Sequence, residues 1–196
     1  MIIKSYILEN DPKKIYNNKS ILFYGVNIGL KRHFKNIFKE FNKQSLVKNI
    51  NQEELTNDID ILYSEINNPS LFNEDKLIFI EGATDKIISF LEPVIDELKN
   101  NKLIVFADAL DKKSKLRNYY EKSKTTIAVA CYEDNEITIK KIIINKLKDF
   151  KGLSSENINL ILNNCGLDRV KLENELDKIK NYFFNKLIER DKLEAL

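Results

Sequence analysis

Short apolar runs alternate with helical stripes along most of the chain. The first clear run, Ile21-Leu22-Phe23-Tyr24, is closed by Gly25 and has the form of a strand buried on both faces of a parallel sheet. Behind it Leu30, Phe34, Ile37, Phe38 and Phe41 recur at helical spacing, while Lys31, Arg32, Lys35, Lys39 and Glu40 fill the opposite face. The alternation continues with a weaker strand at Ser45 to Asn49, a helix from about Glu53 to Ile66, and a strong strand at Leu77 to Ile80. Ile87, Ile88, Leu91, Val94, Ile95 and Leu98 then mark a helix over Thr84 to Leu98, which Pro93 is expected to kink or split. A third strong strand follows at Leu103 to Phe106, then a basic helix at Lys112 to Lys122, and a last strand at Thr126 to Ala130. Such regular alternation predicts an α/β fold with a mainly parallel sheet covered by helices on both sides.

After Tyr132 the pattern changes. Glu133-Asp134-Asn135-Glu136 is polar and acidic, and no convincing strand follows it. The expected organisation is an α/β domain over 1–133 and a small all-helical domain over 134–196. Three helices are predicted there: Ile137 to Phe150 stopped by Gly152, Ser154 or Ser155 to Asn164 stopped by Gly166, and Asp168 to Phe184. Ser155 and Asp168 suit N-caps, and Leu172, Leu176, Ile179 and Phe183 form a core-facing stripe.

Composition narrows the classes. With 196 residues, 43% of them hydrophobic, the chain can bury one good α/β core and still build a small second domain. Its 32 basic and 30 acidic side chains nearly cancel, so it lacks the strong positive field of a dedicated nucleic-acid-binding domain. Cys131 and Cys165 match no metal-ligand spacing and read as small buried hydrophobes, which suits a reduced, cytoplasmic protein. The start Met1-Ile2-Ile3-Lys4 has no basic region followed by an apolar run, and nowhere do eighteen apolar residues occur together, so neither a signal peptide nor a membrane span, nor any membrane partner, is expected. Abundant Lys, Asn and Ile read as compositional bias, which discounts lysine runs as functional signals.

The candidate chemistry lies between the first strand and its helix. A phosphate-binding loop, G-x-x-x-x-G-K-[ST], cradles phosphates with backbone N–H groups, reaches them with the lysine and holds Mg²⁺ with the hydroxyl. Here the segment is Gly25-Val26-Asn27-Ile28-Gly29-Leu30-Lys31: one residue too few between the glycines, Leu30 directly after the second, and no Ser or Thr next. The groups that neutralise charge and hold metal are missing. Glu81-Gly82 after the Leu77 to Ile80 strand supplies one acid rather than an acidic pair, and Asp108 and Asp111 read as helix caps. His33, the single histidine, reads as structural. No catalytic constellation, metal site or cofactor is expected, and neither ATPase nor polymerase activity is expected of this chain.

Three stretches resemble the delta subunit of bacterial DNA polymerase III, a clamp-loader family with an AAA+-like fold that does not hydrolyse ATP. They are Ile21 to Lys31; Asn67 to Ile80, with Ser70-Leu71-Phe72 before a strand; and Leu103 to Tyr120, with Ala109 to Leu116. Asn174-Glu175-Leu176-Asp177-Lys178-Ile179 adds to the likeness. The resemblance implies a subunit that binds and opens the ring-shaped sliding clamp, the beta subunit, with Leu71 and Phe72 as the anchor in a pocket of the clamp. It also implies the other clamp-loader subunits and primed DNA as partners, within a holoenzyme that is a nucleotidyltransferase.

Adjacent large apolar residues among Asn67, Asn68, Ser70, Asn73, Glu74 and Asp75 make a compact anchor, and desolvating both supplies on the order of 3–5 kcal/mol gross. Taken without the resemblance, the pair reads rather as apolar residues tucked under the sheet, and it is the resemblance that reverses this preference. Pro69 biases Asn68 away from helix and ends the preceding helix. The family's third, helical collar domain has no counterpart before Leu196, so stable assembly of these residues alone into a loader pentamer is not expected. Two other readings stay open: a nucleotide-dependent enzyme with an aberrant loop, and a DNA-binding module using Lys112, Lys113, Lys115 and Arg117, with Lys140 and Lys141, against the reading of these as solvated faces.

Overall fold

The computed structural model describes residues 1–58, 60–68 and 75–196. It divides into two compact units, one of Met1–Val26 with Lys31–Cys131 and one of Asn27–Leu30 with Tyr132–Leu196.

In the first unit six strands form one sheet in which every pairing is parallel: β1 (Ile2–Lys4), β2 (Ser20–Tyr24), β3 (Leu46–Asn51), β4 (Lys76–Ala83), β5 (Lys102–Ala107) and β6 (Thr126–Ala130). Their order is β1-β6-β2-β5-β4-β3. The uninterrupted apolar runs sit at the centre because both faces there are covered. Leu22, Tyr24, Ile78, Ile80, Leu103 and Val105 pack with Leu55, Leu62, Leu91, Val94, Leu116 and Tyr120. On the other face, Phe23 lies between Phe34 and Phe106, with ring centroids 4.8 and 5.6 Å away. Phe34 belongs to α2 (Ile28–Phe41), so the stripe predicted for this helix does meet the sheet. The α/β class and parallel sheet expected from the alternation are therefore present.

Several element boundaries differ from expectation. β1 and the following α1 (Ser5–Asn10) carry too little pattern to register, yet β1 pairs along β6 and extends the sheet. The single helix expected over Glu53 to Ile66 is two, α3 (Gln52–Asn57) and α4 (Asp60–Asn67). Asp58 is extended between them, its N–H closing α3 onto the Glu54 carbonyl and its carboxylate accepting from the Asp60 N–H. In place of one helix from Thr84, a 3-10 turn at Asp85–Ile87 leads into α5 (Ile88–Ile95), which ends two residues past Pro93. The basic helix begins at Lys115, as α6 (Lys115–Lys122), with Ser114 as its cap. Lys112 and Lys113 therefore stand in the turn ahead of it.

Among the described residues, the buried polar side chains of this unit are paired. Ser20 Oγ and Tyr120 Oη are 2.8 Å apart, and burial pushes the Tyr120 phenol well above its usual range. Lys76 donates to Glu65 at 2.9 Å, and Lys48 reaches the same carboxylate at 2.8 Å. Burial raises the Glu65 carboxyl, but the two lysines outweigh it and hold the group below its usual value.

The second unit contains α7 (Glu136–Lys146), α8 (Ser155–Cys165), α9 (Arg169–Tyr182) and the short α10 (Arg190–Glu194), which the sequence pattern did not reveal. Ile139, Ile143, Ile161, Leu172, Leu176, Ile179, Phe183 and Leu193 form its core. Asn135, Ser154 and Asp168 cap α7, α8 and α9 through their side chains, which moves the α8 cap to Ser154 from Ser155. Gly166 ends α8, whereas Gly152 does not end α7, which stops at Lys146.

Candidate functional site: the degenerate phosphate loop

β2 delivers the chain to Gly25, whose N–H faces the carbonyls of Ala107 and Asp108 at 3.3 and 3.2 Å. Gly25 has φ +133°, and a Cβ there would lie 2.2 Å from the Cys131 carbonyl oxygen. Close passage of the chain leaving β6 thus explains this glycine without any phosphate.

The next residues belong to the second unit. Asn27 Oδ1 accepts from the Leu30 N–H at 2.9 Å and satisfies one of the free donors at the start of α2. Asn27 Nδ2 donates to the Tyr132 carbonyl at 3.0 Å and to Asp134 Oδ2 at 2.7 Å. A Cβ on Gly29 would lie 2.4 Å from the Arg169 Cβ, so this glycine serves the close approach of α9. Arg169 closes the arrangement by donating to both oxygens of Asp134, Nε at 2.5 Å and Nη2 at 2.7 Å. The side chains of Arg169 and Asp134 are only 6% and 5% exposed.

Lys31, the residue that would reach a terminal phosphate, donates instead to the Ala107 carbonyl and to Asp108 Oδ1, both at 3.0 Å. Asp108 is thus the partner of Lys31, not a helix cap as expected. Asp111 accepts from the N–H groups of Lys113 and Ser114, and Glu81 pairs with Lys35 at 2.7 Å. Among the described residues no cluster of three His, Cys, Asp or Glu could hold a metal ion. His33 lies against Phe34, and Cys131 and Cys165 are buried thiols.

Lys112, Lys113 and Lys115 are exposed. Arg117 differs: it donates to Glu121 at 2.7 Å and to the Leu110 carbonyl at 3.2 Å, and its guanidinium sits 5.0 Å from the Tyr24 ring centre. Lys140 lies 3.8 Å from Glu136 on α7. Leu71 and Phe72 fall outside the described residues. Sequence reasoning missed Asp134 and Arg169, because one reads as part of a polar linker and the other as an ordinary residue after a cap.

No family model matches the chain. It is 25% identical over 140 residues to a probable DNA polymerase III subunit delta of Rickettsia prowazekii (strain Madrid E), covering 68% of this chain and 44% of that protein. In fold, 98% of the chain superposes on 62% of the Bacillus subtilis DNA clamp loader delta protein (YqeN), with TM-score 0.67 and 16% identity. A Rhizobiales Trip13 structure matches 97% of the chain and 79% of its own length, with TM-score 0.50 and 10% identity. The chain thus spans 44% and 62% of the two delta proteins. By sequence and by fold alike, it resembles the delta subunit of bacterial DNA polymerase III, as its degenerate loop and strand-end segments imply.

Proposed function

We propose that this chain is a non-catalytic, delta-type clamp-loader subunit that binds and opens a sliding clamp for loading onto primed DNA, with ATP used by other subunits of the assembly. The observation that carries this reading is the 140-residue sequence similarity to a DNA polymerase III subunit delta. Two features support it. The frame matches a clamp loader delta protein along nearly its whole length, and the one lysine of the loop is already engaged by Ala107 and Asp108.

Leu71 and Phe72 are the proposed anchor. They stand in sequence between α4 and β4, two adjacent large apolar residues among polar neighbours. Such a pair, desolvated in a pocket and ringed by polar contacts, can dominate a small interface. Lys112, Lys113 and Lys115 remain candidates for contacts to DNA or neighbouring subunits, whereas the Arg117 guanidinium is engaged by Glu121, the Leu110 carbonyl and the Tyr24 ring.

Surface plasmon resonance against an immobilised bacterial sliding clamp tests the reading. Leu71→Ala with Phe72→Ala is expected to weaken binding on the order of 100-fold or more, as for truncation of paired anchors, with the thermal midpoint unchanged. Unaltered affinity of the double variant would overturn it.

A further inference from the structure

The start of α2 takes its negative charge from a distant part of the chain. Helix N-termini carry free N–H groups and the positive end of the helix dipole, and they attract anions or acidic side chains. α2 has no acid in its first turn. The carboxylate that stands there is Asp134, 107 positions from Asn27 along the chain. Its Oδ2 accepts from Asn27 Nδ2 and Arg169 Nε, and its Oδ1 from Arg169 Nη2. Asn27 in turn holds the Leu30 N–H, and Gly29 brings α2 against the Arg169 backbone.

We propose that Asp134 is a built-in anion that locks the segment Asn27–Leu30, filling internally the role that a bound phosphate plays in an intact loop. The lock explains three residue types together. Asn27 must both accept from Leu30 and donate to Asp134; Gly29 must lack a Cβ; and Arg169 must neutralise a carboxylate that is almost fully buried. A buried carboxylate and guanidinium tolerate one another only as a pair, so neither is a replaceable surface charge. This is independent of clamp binding, and the outcome for Leu71 and Phe72 does not bear on it.

Hydrogen exchange of the Leu30 and Lys31 amides in the whole chain, with and without inorganic triphosphate, tests it. In the unaltered protein these amides should exchange slowly and ignore triphosphate. Asp134→Asn should speed them on the order of 100-fold, and triphosphate should restore much of the protection by binding the freed Arg169. Arg169→Gln should speed them similarly without any restoration. Amides of β2 and β5 report whether a variant has unfolded globally. Should Asp134→Asn do so, Asp134→Glu, which keeps the charge, must retain protection near the original level. Unchanged exchange in folded Asp134→Asn, triphosphate protection of the unaltered protein, or a Glu variant as loose as the Asn variant would each overturn the lock.

Discussion

Gly25 is the position at which the loop tolerates least. Its φ of +133° is one that side-chain-bearing residues rarely adopt, and the carbonyl oxygen of Cys131 occupies the space a methyl group would need, 2.2 Å from an ideal Cβ. Backbone strain and overpacking act together, so Gly25→Ala should cost roughly 2–4 kcal/mol. For a chain of this size that is roughly a 4–15 °C fall in thermal midpoint, read by circular dichroism; a fall under about 1 °C would show that the turn relaxes freely. A motif reader assigns this glycine to phosphate binding, and the geometry assigns it to strand packing. The defect of the loop was legible in the sequence, because Leu30 and the shortened spacing need no structure to be seen. What holds Asn27 was not legible, since Asp134 and Arg169 lie more than a hundred positions from it and only the fold brings them there.

Helix starts in this protein are set by side chains that sequence periodicity does not see. α6 reads as basic from Lys112, but Asp111 takes the N–H groups of Lys113 and Ser114 into a turn, and the helix begins only at Lys115. Asp85, from the 3-10 turn after β4, then accepts from Ser114 Oγ at 2.6 Å and from the Leu116 N–H at 3.0 Å. Burial raises the Asp85 carboxyl, but the bonds from Ser114, Leu116 and Lys115 outweigh it and hold the group below its ordinary value. A carboxyl lowered on folding adds stability above its unfolded value of about 3.9, and that stability is lost as the pH falls through the folded value. Asp85→Asn should therefore cost about 1 kcal/mol in urea unfolding at neutral pH, as for the loss of a helix cap. The gap to the unaltered protein should narrow as the pH falls below about 4; a gap constant with pH would show that shape and not charge matters at this position. β1 escaped the sequence pattern for a different reason. Three residues are too few to show alternation, and only pairing with β6 makes them a strand.

For the molecule as a whole, the central strands were readable because long apolar runs can persist only where helices cover both faces, and β2, β4 and β5 meet that condition. The division of chemistry was less readable, because a nucleotide-binding frame and a nucleotide-binding site look alike until individual side chains are placed. In the first unit Lys31 is engaged by Ala107 and Asp108, and in the second Asn27 is engaged by Leu30, Tyr132 and Asp134. A ligand that binds the folded state adds about 2.7 kcal/mol at a hundred times its dissociation constant, or roughly 5–10 °C in a chain of this length. Mg²⁺-ATP is therefore expected to give no binding heat and no shift of the thermal midpoint, whereas a saturating sliding clamp should raise that midpoint. Isothermal titration reads the binding heat, and differential scanning calorimetry with each ligand reads the midpoint. A midpoint raised by nucleotide and not by clamp would restore the loop as a working site and remove the basis for placing the function at Leu71 and Phe72.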